Sequence, residues 1–532
     1  MLKMTNLRVS LEDERPLKDI VSKCLQVDSS FVRNVKILSK AVDARKKNNI
    51  SFVYNMLVEV DDEGRLLAKK ATRSDLSLYV EKKLPKIVYG KASLQGEVVV
   101  VGAGPAGLVS AFLLAQNGYR PLLIERGLPI EARRAAVQEF WRGGKISFEG
   151  NVQFGEGGAG TFSDGKLVTR INDPVTARIL RIFTEAGAPP EIEYENKPHI
   201  GTDKLYAMTR NLVAEIKKAG GQIKYRTRLD DIMLENGKLK KIVLSNGSAI
   251  ACSALILSVG HSARDTYEML FAKGFAMEAK PFSIGARVEH PQNLIDKAQY
   301  GEFAGHPKLG AADYALIWHD RKKGRSAYSF CMCPGGVVVA SASEENQVVT
   351  NGMSYHKRDS GLANSALVVG VSPEDFGEHP LAGVSFQRSW EALAFTKAGG
   401  GYLAPAQTVD SFLRGSKPAL GALVAPSYKP AVSATSLRDV LPPFVTDTLA
   451  LALVQFGRKI KGFDHPEALL TGVETRTSSP LRILRGKENR EAIGIQNVFP
   501  TGEGAGYAGG IMSAAVDGYY TALSVMGKFK QP

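Results

Sequence analysis

The stretch EVVVVGAGPAGLVSAFLLAQNGYRPLLIERG, residues 97–127, decides the fold of this chain. Glu97–Val101 is a short apolar run that ends at a glycine, the pattern of a buried parallel strand. Gly102, Gly104 and Gly107 follow in the order G-x-G-x-x-G. The first glycine allows a tight turn, the second lets backbone approach a pyrophosphate, and the third lets the helix pack close to the strand. Pro105 falls where a helix has no N–H to lose. Leu108, Ala111, Phe112, Leu114 and Ala115 make an apolar helical face, Gly118 stops the helix, and a second strand, Pro121–Ile124, runs into Glu125. A carboxylate there accepts hydrogen bonds from an adenosine ribose and repels a 2′-phosphate, so the unit is expected to hold FAD or NAD rather than NADP. An α/β, Rossmann-like domain follows from this reading.

Around this unit, residues 97–275 are expected to form the first part of a cofactor-binding domain, and residues 471–532 its C-terminal part. Residues 276–470, with many short strands and loops, read as a mixed α+β substrate or cap domain. Residues 1–92 read as a small α+β domain, ferredoxin-like in one arrangement of its strands, and residues 82–96 as the linker behind it. This first segment is basic. Residues 1–96 carry 19 Lys and Arg against 12 Asp and Glu, half of the chain's net charge of +14. Such a surface could meet RNA, an acidic partner or nothing but solvent. The N-terminus shows no signal-peptide core, no run reaches membrane-spanning length, and four cysteines do not make a disulfide scaffold. A cytoplasmic protein is expected, with oligomeric state unassigned.

Two further glycine loops bear on the cofactor. Phe154–Gly160 reads FGEGGAG, and Thr501–Gly510 reads TGEGAGYAGG between an apolar strand and a helix. The second presents backbone N–H groups at a helix N-terminus, with Glu503 as an acceptor of hydroxyl hydrogen bonds.

With these loops the chain resembles the glutathione-reductase-like flavoproteins of the FAD-binding superfamily. The resemblance implies that Gly102, Ala103, Gly104, Pro105, Ala106, Gly107, Glu125 and Arg126 hold the ADP half of FAD. It implies that Gly502 and Glu503 serve the ribityl chain, with Glu where the family has Asp. Gly509, Gly510 and Ile511 match the stretch that meets the flavin pyrimidine, and Leu229 falls at an adenine contact. Ser258, Val259 and Gly260 stand where the family's second nucleotide motif ends in A-T-G. The loop GEGGAGTFSDGKL, together with YSFCMCPGG, NGMSY, VETRTSSPLRI and GEGAGYAGGI, is similar to a group of bacterial FAD-dependent dehydrogenases of unassigned substrate. It would place Gly158, Gly160, Thr161, Ser163 and Lys166 beside the pyrophosphate and flavin. No second G-x-G-x-x-G follows a strand between 165 and 490, so NAD(P)H is expected as a transient electron donor rather than a resident cofactor.

A flavin performs its own redox step, so few catalytic side chains are required. Three candidates stand out. Cys331 and Cys333 are read as redox thiols or as side chains that simply pack. Arg476 is read as a clamp for a substrate carboxylate or as an ion-pair partner, with Arg482 and Arg485 as alternatives. His261 and His290 could act as acid or base, and no metal-ligand spacing occurs. The leading function is an FAD-dependent oxidoreductase, a dehydrogenase acting on a small organic substrate by hydride transfer at flavin N5. An FAD-dependent tRNA- or RNA-modifying enzyme that grips nucleic acid with the basic N-terminal domain is the second. A non-catalytic flavin-binding module is the third.

Overall fold

In the computed structural model, which describes residues 1–69, 73–169 and 171–532, Glu97–Val101 is the middle strand of a parallel sheet. The strands run in the order Gln222–Lys224, Leu122–Ile124, Glu97–Val101, Ala249–Leu257 and Val498–Pro500, all parallel. The first half of Ala249–Leu257 pairs antiparallel with the hairpin Leu229–Glu235/Lys238–Leu244. A G-x-G-x-x-G turn at the end of the central strand puts the following helix N-terminus at the carboxyl edge of the sheet, where open α/β folds bind ligands.

That helix, Pro105–Gln116, departs from the expected single apolar face. Every residue from Ala106 to Ala115 is buried. The reason is a close packing with the last helix, Ile511–Lys528. A Cβ on Gly518 would lie 2.2 Å from the Ala106 carbonyl oxygen, and Ser110 Oγ lies 2.8 Å from both the Ala106 and Gly518 carbonyls. Each large apolar side chain buried in such a contact contributes roughly 1.5–3 kcal/mol.

Residues 1–78 form a β-α-β-β-α-β unit, the element order of ferredoxin-like domains. Its antiparallel sheet has the order Val32–Asp43, Ser51–Val60, Leu2–Ser10, Leu76–Leu78. The strand Leu2–Ser10 buries Leu2 and Met4, then Leu7 and Val9. The shift in phase occurs at Asn6, whose φ of 58° makes the bulge that keeps all four on one face. The unit is tied to the rest by Lys40, whose N–H donates to Tyr194 and whose carbonyl accepts from Asn196. The linker follows the end of the last helix, with Gly90 N–H donating to the Met526 carbonyl.

The middle segment builds a second seven-stranded sheet in the order Ile317–Asp320, Arg325–Cys333, Leu362–Val371, Phe282–Pro291, Leu469–Glu474, Ala404–Thr408 and Val432–Ala434. Only the last pair is parallel. Leu469–Glu474 belongs to this sheet, so the boundary expected at 470 falls inside one of its strands. Among the described residues no helix is long and apolar enough to cross a membrane.

Candidate active site

The three glycine loops converge on one cavity of about 390 Å³. Gly102, Gly104, Pro105 and Ala106 form one wall, Gly158, Gly160, Ser163 and Lys166 another, and Glu503, Gly509, Gly510 and Ile511 a third. Ser258, Val259, Gly260, Glu125, Arg126 and Leu229 also line it. The close approaches explain the glycines. Gly102 has φ 100°, and a Cβ there would lie 2.3 Å from the Ser258 carbonyl oxygen. A Cβ on Gly107 would lie 1.9 Å from the Gly102 carbonyl oxygen. Two helix N-termini open on this space, at Pro105 and Ile511, and neither has a side-chain cap. Their first N–H groups have no intrahelical acceptor, which suits an anionic or oxygen-rich ligand.

Five expected site residues lie behind the lining rather than in it: Ala103, Gly107, Thr161, Gly502 and Cys333. Ala103 and Gly107 shape the turn. Thr161 lies outside the lining, its hydroxyl buried beside Gly157 and without a hydrogen-bond partner among the described residues. Ser163 lines the cavity, yet its hydroxyl donates to the Gly160 carbonyl at 2.6 Å and closes the local turn. Arg126 is likewise committed. It pairs with Glu149 and Asp265 and stacks 4.1 Å over the Phe154 ring. Lys166 makes no ion pair among the described residues.

The two acids differ. Glu125 accepts N–H groups from Gly127 and Gly155 on Oε1 and from Ala103 on Oε2. It holds the first glycine turn to the second loop and keeps acceptor capacity on Oε2. The Glu503 carbonyl accepts from Gly506 N–H, but its carboxylate accepts no hydrogen bond among the described residues and faces the cavity. Burial pushes its carboxyl up to about 7, against the pull of Lys280 and with the Cys331 sulfur opposing ionisation. Glycine cradles that a Cβ would fill, an uncommitted Lys166 and a half-buried acid whose carboxylate has no donor among the described residues fit a flavin dinucleotide.

Arg133 escaped the sequence reading. It is fully buried, and its guanidinium donates to five carbonyls, three in the second glycine loop (Gly155, Glu156 and Gly158) and two just ahead of it (Asn151 and Val152). Burial lowers its pKa to about 10, so it remains a cation at neutral pH. This one side chain moulds the loop that forms the second wall.

Arg476 lines the cavity, but not as a clamp for a substrate carboxylate. All five of its N–H groups are taken: Nε and Nη2 by Glu391 at 3.0 and 2.7 Å, Nη1 by Ser262 and Ser343, and Nη2 also by Gln347. Arg264 grips the same Glu391 carboxylate at 2.8 and 2.9 Å. Burial alone would raise the Glu391 pKa, and the two guanidinium groups overcome it and hold it at about 2. Burial, with Arg476 and Arg264, drives neighbouring His261 down to about 3, so the imidazole at the cavity wall is neutral. His290 sits elsewhere, buried against the Phe463 carbonyl at 2.7 Å. Arg482 and Arg485 pair with Glu278 and Asp517.

Of the two cysteines, Cys331 lines the cavity and Cys333 lies fully buried behind it. No cluster of three or more metal-ligating side chains occurs among the described residues. A second cavity of about 670 Å³ adjoins the first and shares Phe330, Thr477 and Gly509 with it. It is lined by hydroxyls and charges, including Ser283, Ser326, Tyr328, Lys323 and Arg325.

Residues 96–267 match the family described as pyridine nucleotide-disulphide oxidoreductase, and residues 281–477 match FAD-dependent protein, C-terminal domain-like. An uncharacterized protein of Clostridium beijerinckii is 46% identical over 533 residues, covering 100% of this chain and 99% of that one. The chain belongs to one family with that protein, built of a pyridine nucleotide-disulphide oxidoreductase segment and an FAD-dependent C-terminal segment. The flavoprotein's residues 1–59 match a domain of unknown function. A thiamine thiazole synthase of Thermotoga maritima is 27% identical over 271 residues, 47% of this chain and 93% of its own. FixC of Salmonella typhi is 26% identical over 208 residues, and the chain spans 45% of its length. Among solved structures, a glycine oxidase from Bacillus cereus aligns with 82% of the flavoprotein at 11% identity and a TM-score of 0.36.

Proposed function

We propose that the flavoprotein is a dehydrogenase that carries FAD in the glycine-walled cavity and passes a hydride between flavin N5 and a small organic substrate. The observation that carries this reading is Glu503, a half-buried acid on the wall formed by the third glycine loop, whose carboxylate has no hydrogen-bond donor among the described residues. A carboxylate in that state is stabilised by hydroxyl donors such as those of a ribityl chain. When bound, the flavin supplies hydride acceptance and donation. The chain's own residues do the rest. Glu125, already fixed by three N–H donors, accepts ribose hydroxyls on Oε2. Lys166 balances phosphate or reduced-flavin charge. The second cavity is the approach for the substrate, because its wall residues Phe330, Thr477 and Gly509 are also walls of the first. NAD(P)H serves as a diffusible reductant, without a nucleotide domain of its own.

The test is an anaerobic absorbance titration of the purified protein with NADH and then NADPH. A yellow protein whose flavin band bleaches with either one supports a reductase fed by nicotinamide. A yellow protein bleached by neither shows that electrons come from the organic substrate. A colourless protein that takes up no added FAD refutes the reading.

A further inference from the structure

We propose that the second cavity binds an elongated organic anion, a carboxylate or a phosphate monoester, with its charged end at Lys323 and its far end at Phe330 against the flavin cavity. The inference rests on the reading above that this cavity is the substrate's approach, and it names the chemical class of that substrate.

The cavity is built on one face of the seven-stranded sheet. Ser326, Tyr328 and Phe330 alternate along the strand Arg325–Cys333, so their side chains share a face, and all three line the cavity. Gly370 of Leu362–Val371 and its register partner Ser283 of Phe282–Pro291 line it alongside. The glycine leaves the room. It lies in a strand, where glycine is disfavoured, and a Cβ there would meet nothing within 4 Å. The lining begins at the turn of Lys323 and Gly324 and runs to Phe330, which is also a wall of the flavin cavity. From Arg325 to Phe330 the strand rises about 16 Å. A ligand that reaches from the turn to the flavin side is therefore long rather than compact.

The polar groups of this wall are mostly donors. The Ser283 and Tyr328 hydroxyls lie 2.6 Å apart and share one hydrogen bond, so one of their two protons is left over. Ser372 accepts the Asp375 N–H, and its own O–H has no acceptor among the described residues. The Ser478 hydroxyl has no partner among the described residues either. Among those residues the Lys323 ammonium meets only Asp447, at 3.9 Å. Arg325 takes no part, because Asp375 and the Gly370 carbonyl hold its guanidinium. Glu374 is the carboxylate on this wall, and it is exposed. Three uncommitted O–H groups and an ammonium suit a ligand whose oxygens accept and whose charge is negative. Phe282, Phe330 and Val371 supply the apolar surface along which its carbon chain lies.

The test is titration calorimetry of the purified holoprotein with three probes that share one chain: octanoate, octyl phosphate and octanamide. At least one of the two anions should bind about 10-fold more tightly than the amide, with a Kd that rises with salt. The tighter of the two tells carboxylate from phosphate. Lys323→Gln should weaken the anion by about 3- to 10-fold and leave the amide unchanged, while Lys322→Gln, outside the lining, should change neither. Gly370→Val occupies space the cavity now holds, and should abolish binding of all three with flavin content and melting temperature kept. Equal binding of anion and amide, binding of neither anion, or an unchanged anion Kd in Lys323→Gln overturns the proposal. The flavin absorbance of the same samples separates this failure from that of the reading beneath. A protein without flavin, or anion binding that leaves the flavin band unmoved, refutes the approach to the flavin and not the anion site.

Discussion

Replacing Glu391 with Gln should destabilise the flavoprotein by about 3–5 kcal/mol at neutral pH. The wild-type carboxylate accepts four N–H bonds from Arg264 and Arg476 and a hydroxyl from Thr475 at 2.6 Å. Breaking a buried pair leaves an uncompensated charge and costs about 3–5 kcal/mol. The depressed pKa gives an independent figure. A carboxyl moved from 4.5 to about 2 is worth about 3 kcal/mol, because each unit is about 1.4 kcal/mol. A depressed folded-state pKa stabilises fully above the unfolded value and is lost as pH falls through the folded one. The wild type should therefore lose this contribution between pH 4.5 and about 2, while E391Q never has it. The assay is thermal unfolding from pH 5 to 8, followed both by circular dichroism and by flavin fluorescence. E391Q should melt several degrees lower, by a margin that does not vary over that range. A variant within about 1 kcal/mol of the wild type would refute the reasoning, since Glu344 alone would then suffice to hold both guanidinium groups.

Other predictions concern the cavity. Arg133→Met strips donors from five loop carbonyls and should cost at least about 3 kcal/mol, with FAD affinity falling alongside; Arg133→Lys, with three donors, should recover part of both. Glu503→Ala should weaken FAD binding by about 1–3 kcal/mol, some 5- to 150-fold in Kd by fluorescence titration, and an unchanged Kd would remove the proposed ribityl contact. Cys331 should alkylate with iodoacetamide in a titration centred near pH 6 rather than 9, measured before FAD is added. The S–H of Cys333 contributes most to that shift, burial opposes it, Lys166 and Arg287 assist, and Glu474 and Glu503 face the thiolate unfavourably. Its contribution to stability should be present above pH 9 and fall away as pH drops through 6.

The parts of the site that were legible in sequence are those encoded within a few residues. Gly102 and Gly107 answer to a turn and a close packing that any such unit must make, so their spacing suffices to place them. Glu503 was likewise legible from its own loop. The commitments of Arg476 and Arg126 were not. Glu391 lies 85 positions from Arg476 and on a helix of the middle domain, and no local pattern announces that its carboxylate meets a guanidinium. Arg133 reads in sequence as one of two adjacent arginines on a charged helix, and only the fold reveals which of them turns inward. The bulge at Cys331 was invisible for a related reason. It depends on a register slip against Leu362–Val371, a strand the sequence places some thirty residues away.

The sheet that holds the first glycine turn is completed by Val498–Pro500, and the helix against Ala106 and Ser110 begins only at Ile511. A ribosome that has just made Leu257 must add about 240 further residues before either arrives, on the order of tens of seconds of synthesis. During that interval one edge of Ala249–Leu257 and the face of Pro105–Gln116 that meets the last helix have no partner. The nascent chain thus carries its most apolar helix only part-covered, by Thr202–Lys218, for longer than most domains take to fold. Cofactor capture is confined to the finished polypeptide, and any truncation before Ile511 should leave an aggregating, colourless product.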